Sequence, residues 1–162
     1  MEKSLADLDA AIEPDRSLGG LVLRTKLITI QTYFLGLGVT VEGSYELVKP
    51  MEAVYRLGAG EVEVSVDVRN GKIAKLIACP GYRGLLFSKI SVGMLAGDAM
   101  RAEPRLFYNE NEEIIQCQGV EGLAIEVSEI DPPPHLVPSL PIVAISVFAK
   151  EVFTWSGQGG EW

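Results

Sequence analysis

The segment EVEVSVDVRNGKIAKLIAC, residues 61–79, has little freedom in how it folds. Val62, Val64, Val66 and Val68 alternate with Glu61, Glu63, Ser65 and Asp67. A period of two places the valines on one face of a strand and the polar groups on the other, so we expect a half-buried strand with one solvated acidic face. Asn70-Gly71 then supplies the positive φ angles of a tight hairpin. The returning strand carries Ile73, Leu76 and Ile77 on both faces. Such a strand is central or covered by another layer. Lys75 selects the register. A two-residue turn sets it opposite Val66 on the buried side. A three-residue turn with a bulge sets it opposite Ser65, near Glu63 and Asp67, and avoids burying an ammonium group. We expect the second.

Strand signals recur along the chain. LVLRTKLITIQTYFLGLGVTV, residues 21–41, is rich in β-branched and aromatic residues and reads as one long, bulged or twisted strand. Gly36, Gly38 and Gly43 mark a bend after it. YELVKPMEAVYRLG begins as a strand and is broken by Pro50. KISV reads as a strand closed by Gly93. The stretch from Met94 to Arg101 is too short for a stable isolated helix, is weakened by Gly97 and stops at Pro104. RLFYNENEEIIQCQG reads as a hairpin with a polar tip, and GLAIEVSEI and IVAISVFAKEVF as further strands. DPPPHLVPSLP, between them, reads as a rigid, extended surface loop. Residues 3–12 form a short helix or an arm that ends before Pro14, and 154–162 a loose tail. The expectation is one α+β, mainly β domain over residues 1–162. It is a curved antiparallel sheet of hairpin-connected strands with one or two short helices and no βαβ units.

Composition narrows the function. The chain has 162 residues, is 48% hydrophobic and carries a formal net charge of −8. The core can be sizeable. The charge argues against nucleic acid and against an anionic membrane as partners, because both need clustered cations. The segment 18–41 is apolar but interrupted by Arg24, Lys26 and Gln31, too broken for a spanning helix. The acidic start lacks the features of a signal peptide, which points to the cytoplasm. There Cys79 and Cys117 are expected as buried free thiols, not a disulfide. His135, the single histidine, sits in a proline-rich loop and reads as exposed. Neither a catalytic constellation, a metal-ligand set nor a cofactor motif stands out.

The candidate contacts are therefore for a protein. Glu110, Glu112 and Glu113 crowd one hairpin tip with Tyr108 beside them, and Tyr82 and Arg83 lie between two glycines. Tyr and Arg are residue types that anchor interfaces. A second class of reading, a small-molecule-binding or enzymatic β domain, would use a pocket lined by Tyr33, Tyr45, Tyr55 and Arg56.

The run 71–127 reads as a strand, a loop, then I-x-V-G-M at Ile90, Val92, Gly93 and Met94, and a short stretch around Asp98. It continues with Leu106, Tyr108, Asn109 and Glu110, and then Gly122, Leu123, Ile125 and Glu126. This resembles the C-terminal half of small bacterial immunity proteins, which neutralise toxins delivered to neighbouring cells. There a Ser or Thr follows the Met and caps a short helix. Leu95 stands in that place and supplies no cap. The resemblance implies a non-enzymatic inhibitor that binds a basic toxin domain directly. On this reading Gly93 and Met94 form a corner of the fold, not a site.

Overall fold

In the computed structural model, residues 6–28, 45–49, 51–154 and 159–162 are described, with 45–49 as backbone alone. The chain forms a small two-stranded ribbon and one open eight-stranded antiparallel sheet. The ribbon pairs β1 (Ser17–Leu18) with β2 (Leu21–Val22). The large sheet contains β3 (Tyr45–Lys49), β4 (Glu52–Leu57), β5 (Val62–Asp67), β6 (Lys72–Ala78), β7 (Leu106–Asn109), β8 (Ile114–Cys117), β9 (Leu123–Val127) and β10 (Ile142–Phe148). Their order across the sheet is β3-β4-β5-β6-β10-β9-β8-β7. Two meanders thus lie side by side, and the last strand is inserted between them. The helix α1 (Ala96–Ala102) and a 3-10 turn, Val137–Ser139, pack together. Among the described residues, no helix is long and apolar enough to cross a membrane.

The β5–β6 hairpin keeps the expected Ser65–Lys75 pair but not the expected turn: Asp67 pairs with Lys72, so residues 68–71 form a four-residue turn in which Gly71, and not Asn70, takes a positive φ. Ser65 pairs with Lys75, and a shift between Ser65 and Val66 marks the bulge. Val62, Val64 and Val66 are buried, as are Leu76, Ile125, Ile145 and Val147 from neighbouring strands. Leu18, Leu23, Leu86, Ile90, Ala96, Ala99 and Val137 belong to the same core. The other face of β5 departs from expectation. Ser65 and Asp67 are buried, not solvated, and Val68 is exposed beyond the strand end. Glu52 Oε1 accepts a hydrogen bond from Ser65 Oγ at 2.5 Å. Asp67 accepts from Arg69 at 2.7 and 2.8 Å and from Trp162 Nε1 at 3.0 Å. These bonds replace water and make the burial tolerable.

That contact also corrects the loose tail. Residues 159–162 fold back on the β5–β6 turn: Asn70 Nδ2 donates to Gly160 O at 3.2 Å, and Lys72 Nζ lies 5.3 Å from the Trp162 ring centroid. Trp155 lies outside the described residues. At the other end, residues 6–12 form an arm and no helix. Their backbone bonds go to the core: Asp7 N to Gly19 O at 2.9 Å and Ile12 N to Leu85 O at 3.0 Å.

Three more expectations change. Within the described part of the long strand expected over residues 21–41, pairing ends at Val22; residues 29–41 lie outside the described residues. Arg24 takes a positive φ of 71°, and its guanidinium bonds Glu151 at 2.8 Å and Asp15 O at 2.8 Å. Lys26 then makes an isolated bridge to Lys72, and Leu27 and Ile28 enter a helical turn. Gly36, Gly38, Gly43 and Tyr33 lie outside the described residues. KISV is not a strand either. Phe87 and Ser88 both have positive φ and close a turn in which Leu86 and Ile90 exchange backbone bonds of 2.8 and 3.0 Å. The proline-rich connection is only partly an exposed loop, since Val137 is buried. It sits against α1 so closely that a Cβ on Gly97 would lie 2.8 Å from Pro138 O.

Both cysteines are free; Cys117 is buried as expected, whereas Cys79 is only half-buried. Cys79 follows β6 and Cys117 lies on β8, with β10 and β9 between them. Three strand spacings, about 14 Å, are twice the Cα separation a disulfide tolerates. Burial pushes the Cys79 thiol up to about 11, and Glu63 and Glu126 push the same way, which leaves it protonated and unreactive at neutral pH.

Two predictions test this packing. Val64→Ala removes a fully buried side chain from the middle of β5 and should cost about 1–3 kcal/mol. Urea unfolding should show a lower midpoint with an unchanged slope. Asp67 is held at about 2, below its ordinary 3.8, first by the Arg69 hydrogen bond and then by Trp162. Its stabilisation is therefore present above pH 4 and lost as pH falls towards 2. The Tm difference between wild type and Asp67→Asn should be largest near neutrality and shrink across that window.

Candidate partner-binding surface

The β7–β8 hairpin forms one open edge of the sheet. Leu106 pairs with Cys117, Phe107 with Gln116, Tyr108 with Ile115 and Asn109 with Ile114. Alternation sends Leu106, Ile115 and Cys117 into the core, with Tyr108 packed against it, and Phe107, Asn109, Ile114 and Gln116 to the opposite face. Asn109 builds the turn. Its Oδ1 accepts from Asn111 N at 3.0 Å and Glu112 N at 3.3 Å, and its Nδ2 donates to Gln116 Oε1 at 3.0 Å. Glu113 adopts the left-handed region at φ 57°. The turn so fixed leaves Glu110, Glu112 and Glu113 exposed.

Strand pairing adds a group that the sequence reading missed. Ile115 pairs with Ile125. Because β8 and β9 run antiparallel, the exit of β9 lies at the same end as the hairpin tip. Glu129, Ile130 and Asp131 are exposed there, Ile130 at 95%. Asp131 is held at a φ of 48°. The Tyr108 hydroxyl is buried and has no hydrogen-bond partner. Burial pushes it up, and Asp131, Glu113 and Glu110 add to the shift in that order. Three carboxylates from two different segments therefore act on one phenol. The sequence signal was the S-E-I-D-P turn, but its proximity to the tip follows only from the register.

Among the described residues, many of the cations that could offset the charge at this end are engaged elsewhere. Arg24 pairs with Asp15 and Glu151, Arg56 with Glu63, Arg69 with Asp67, and Arg105 and Lys89 with Glu103. Among the described residues, Glu110, Glu112, Glu113, Glu129 and Asp131 have no ion pair.

Tyr82 and Arg83 lie elsewhere. Tyr82 is 3% exposed. Its hydroxyl accepts from Gly19 N at 2.9 Å and donates to Ala10 O at 2.7 Å. It anchors the N-terminal arm and offers no surface to a partner, which corrects its assignment as a contact residue. Arg83 is exposed but bound to Asp9 by a forked pair of 2.7 and 2.8 Å. The I-x-V-G-M segment is a corner: Ile90 is buried, and Gly93 turns at φ 93°. Leu95 occupies the N-cap position of α1 without a side-chain bond, and Leu140 O accepts from Ala96 N at 2.9 Å instead.

For the pocket reading, Tyr55 packs against the core and Arg56 Nε donates to Glu63 Oε1 at 3.1 Å. Tyr45 stands opposite Tyr55 in the backbone register. His135 is exposed. Among the described residues, no group of three or more His, Cys, Asp or Glu side chains is gathered to hold a metal. On the face of the β7–β8 hairpin away from the core lies a groove of about 470 Å³, bordered by Phe107, Gln116, Phe148, Lys150 and Phe153. Set against protein-family models, curated proteins and solved structures, the chain matches none.

Proposed function

We propose that this chain is a non-enzymatic binding protein, an immunity-type inhibitor that acts in the cytoplasm and neutralises a basic bacterial toxin by direct contact. The observation that carries the reading is the convergence of two acidic segments, Glu110 to Glu113 and Glu129 to Asp131, at one end of the sheet. Like charges so placed repel one another in the free protein. A positive partner surface relieves that repulsion and gains attraction, chiefly in association rate. Ile130, exposed in the middle of the second segment, supplies apolar contact area. A binding role needs no catalytic group, and the ligand-pocket alternative finds Tyr55 and Arg56 already engaged within the fold.

The test begins with affinity capture from the native host in low salt. The triple variant Glu110→Lys, Glu112→Lys, Glu113→Lys should then associate with the captured toxin at least about tenfold more slowly at low ionic strength. The difference should shrink at high salt. Stability should change by no more than about 0.5 kcal/mol, because the three side chains are exposed. Wild-type association by the triple variant excludes this end as the interface, and failure to recover any basic partner overturns the immunity reading.

A further inference from the structure

The β5–β6 turn carries a built site, and residues 160–162 fill it. Asp67 ends β5, and its partner Lys72 opens β6. The turn between them is held by its own bonds. Asp67 Oδ1 accepts from Arg69 N at 3.0 Å and from Arg69 Nε at 2.8 Å, and Asp67 Oδ2 accepts from Arg69 Nη2 at 2.7 Å. Asn70 Oδ1 accepts from Lys72 N at 2.9 Å, and Asp67 O from Gly71 N at 2.7 Å. None of these bonds involves residues 159–162. The site therefore has its shape before they dock, which lowers the cost of binding.

The docked residues meet it with specific chemistry. Trp162 Nε1 donates to Asp67 Oδ2 at 3.0 Å, and Lys72 Nζ stands 5.3 Å from the centroid of the same indole. Lys72 Nζ also donates to Trp162 O, and Asn70 Nδ2 donates to Gly160 O at 3.2 Å. Each contact selects a feature of the ligand. Asp67 is 5% exposed, so the ring that covers its carboxylate has to donate an N–H, which phenylalanine lacks. The ammonium group over the ring favours indole among the aromatics. Gly160 has a φ of 81°, and a Cβ there would lie 3.0 Å from Arg69 Cβ and Nε, so glycine is required two positions before the tryptophan. Glu161 between them is exposed, which leaves that position open to other residues. Gly160 and Trp162 make all of these contacts, and none depends on how the segment is joined to the rest of the chain.

We infer that the β5–β6 turn is a recognition site for a Gly-x-Trp segment, filled in cis by Gly160 to Trp162 and able to take a segment of the same pattern from a second polypeptide. The site belongs to the other half of the sheet from the acidic end and stands independently of the reading of that end.

Fluorescein-labelled Gly-Gly-Glu-Trp tests it by anisotropy on the full-length chain and on two full-length variants that vacate the site. Trp162→Ala removes the indole, and Gly160→Ala sets a Cβ against Arg69. The peptide should bind each variant at least about tenfold more tightly than the wild type, whose own tail competes at high effective concentration. Gly-Gly-Glu-Phe and Gly-Ala-Glu-Trp should bind the vacated chains about tenfold more weakly than Gly-Gly-Glu-Trp, the first for want of the N–H and the second for its extra Cβ. Asp67→Asn in the Trp162→Ala chain should weaken binding by a similar factor, because Arg69 retains the amide oxygen and leaves the NH2 group facing the indole N–H. Circular dichroism and Tm show whether each variant is folded. If the variants do not fold, the wild type decides: excess Gly-Gly-Glu-Trp should speed hydrogen exchange at Trp162 Nε1, and unchanged exchange overturns the inference. Equal binding to the wild type and both vacated chains, equal binding of the Trp and Phe peptides, or no binding to either vacated chain overturns it as well.

Discussion

The strand β10 holds the two halves of this protein together. It pairs with β6 on one side and β9 on the other, through Ile145, Ser146 and Val147 in both ladders. Each half is otherwise a meander of sequence neighbours, β3 to β6 and β7 to β9. Local hairpins form readily, but an isolated hairpin is marginal in water. The insertion of β10 completes the backbone bonding of both halves and buries Ile145 and Val147 against Val62, Leu76 and Ile125. Such long-range pairing is slow to form because loop closure precedes the gain. Ser146, on the opposite face of the same strand, is fully buried with an unbonded hydroxyl, a cost the surrounding pairing tolerates.

The segments that flank the sheet are fastened by polar contacts at a few points. Tyr82 bonds the arm at Ala10 and the ribbon turn at Gly19 with one hydroxyl. Arg24 joins Asp15 and Glu151, groups far apart in sequence. Trp162 closes over Asp67. Each tie consumes a cation or a polar group, and the sum has a consequence at a distance. Many of the described basic residues are engaged in such contacts, while the tip of the edge hairpin carries carboxylates alone.

That hairpin presents two chemistries along one face, an aromatic groove and a charged tip. Charge acts over several ångströms and is screened by salt. The rings act only in contact, where they exclude water.

Patterns of period two and turn residues of fixed φ are local, so the sequence by itself determined much. It specified the β5–β6 hairpin down to the Ser65–Lys75 pair, the β7–β8 hairpin with its acidic tip, the corner at Gly93, the free thiols and the mainly antiparallel sheet. It misread what depends on partners remote in the chain. Residues 21–28 carry a strand composition, yet Arg24 turns out of the strand to reach Asp15 and Glu151. Ser65 and Asp67 look solvated, yet Glu52 and Trp162 cover them. Tyr82 looks like an interface anchor, yet it is a buried strut. The tertiary structure alone decided that β10 lies between the meanders, that Glu129 to Asp131 stand beside the tip, and that Phe107 and Phe153 border one groove. The physical reason is common to all three. Propensity acts over a few residues, whereas adjacency in a sheet is set by the burial and hydrogen bonding of strands that meet only once the whole chain has folded.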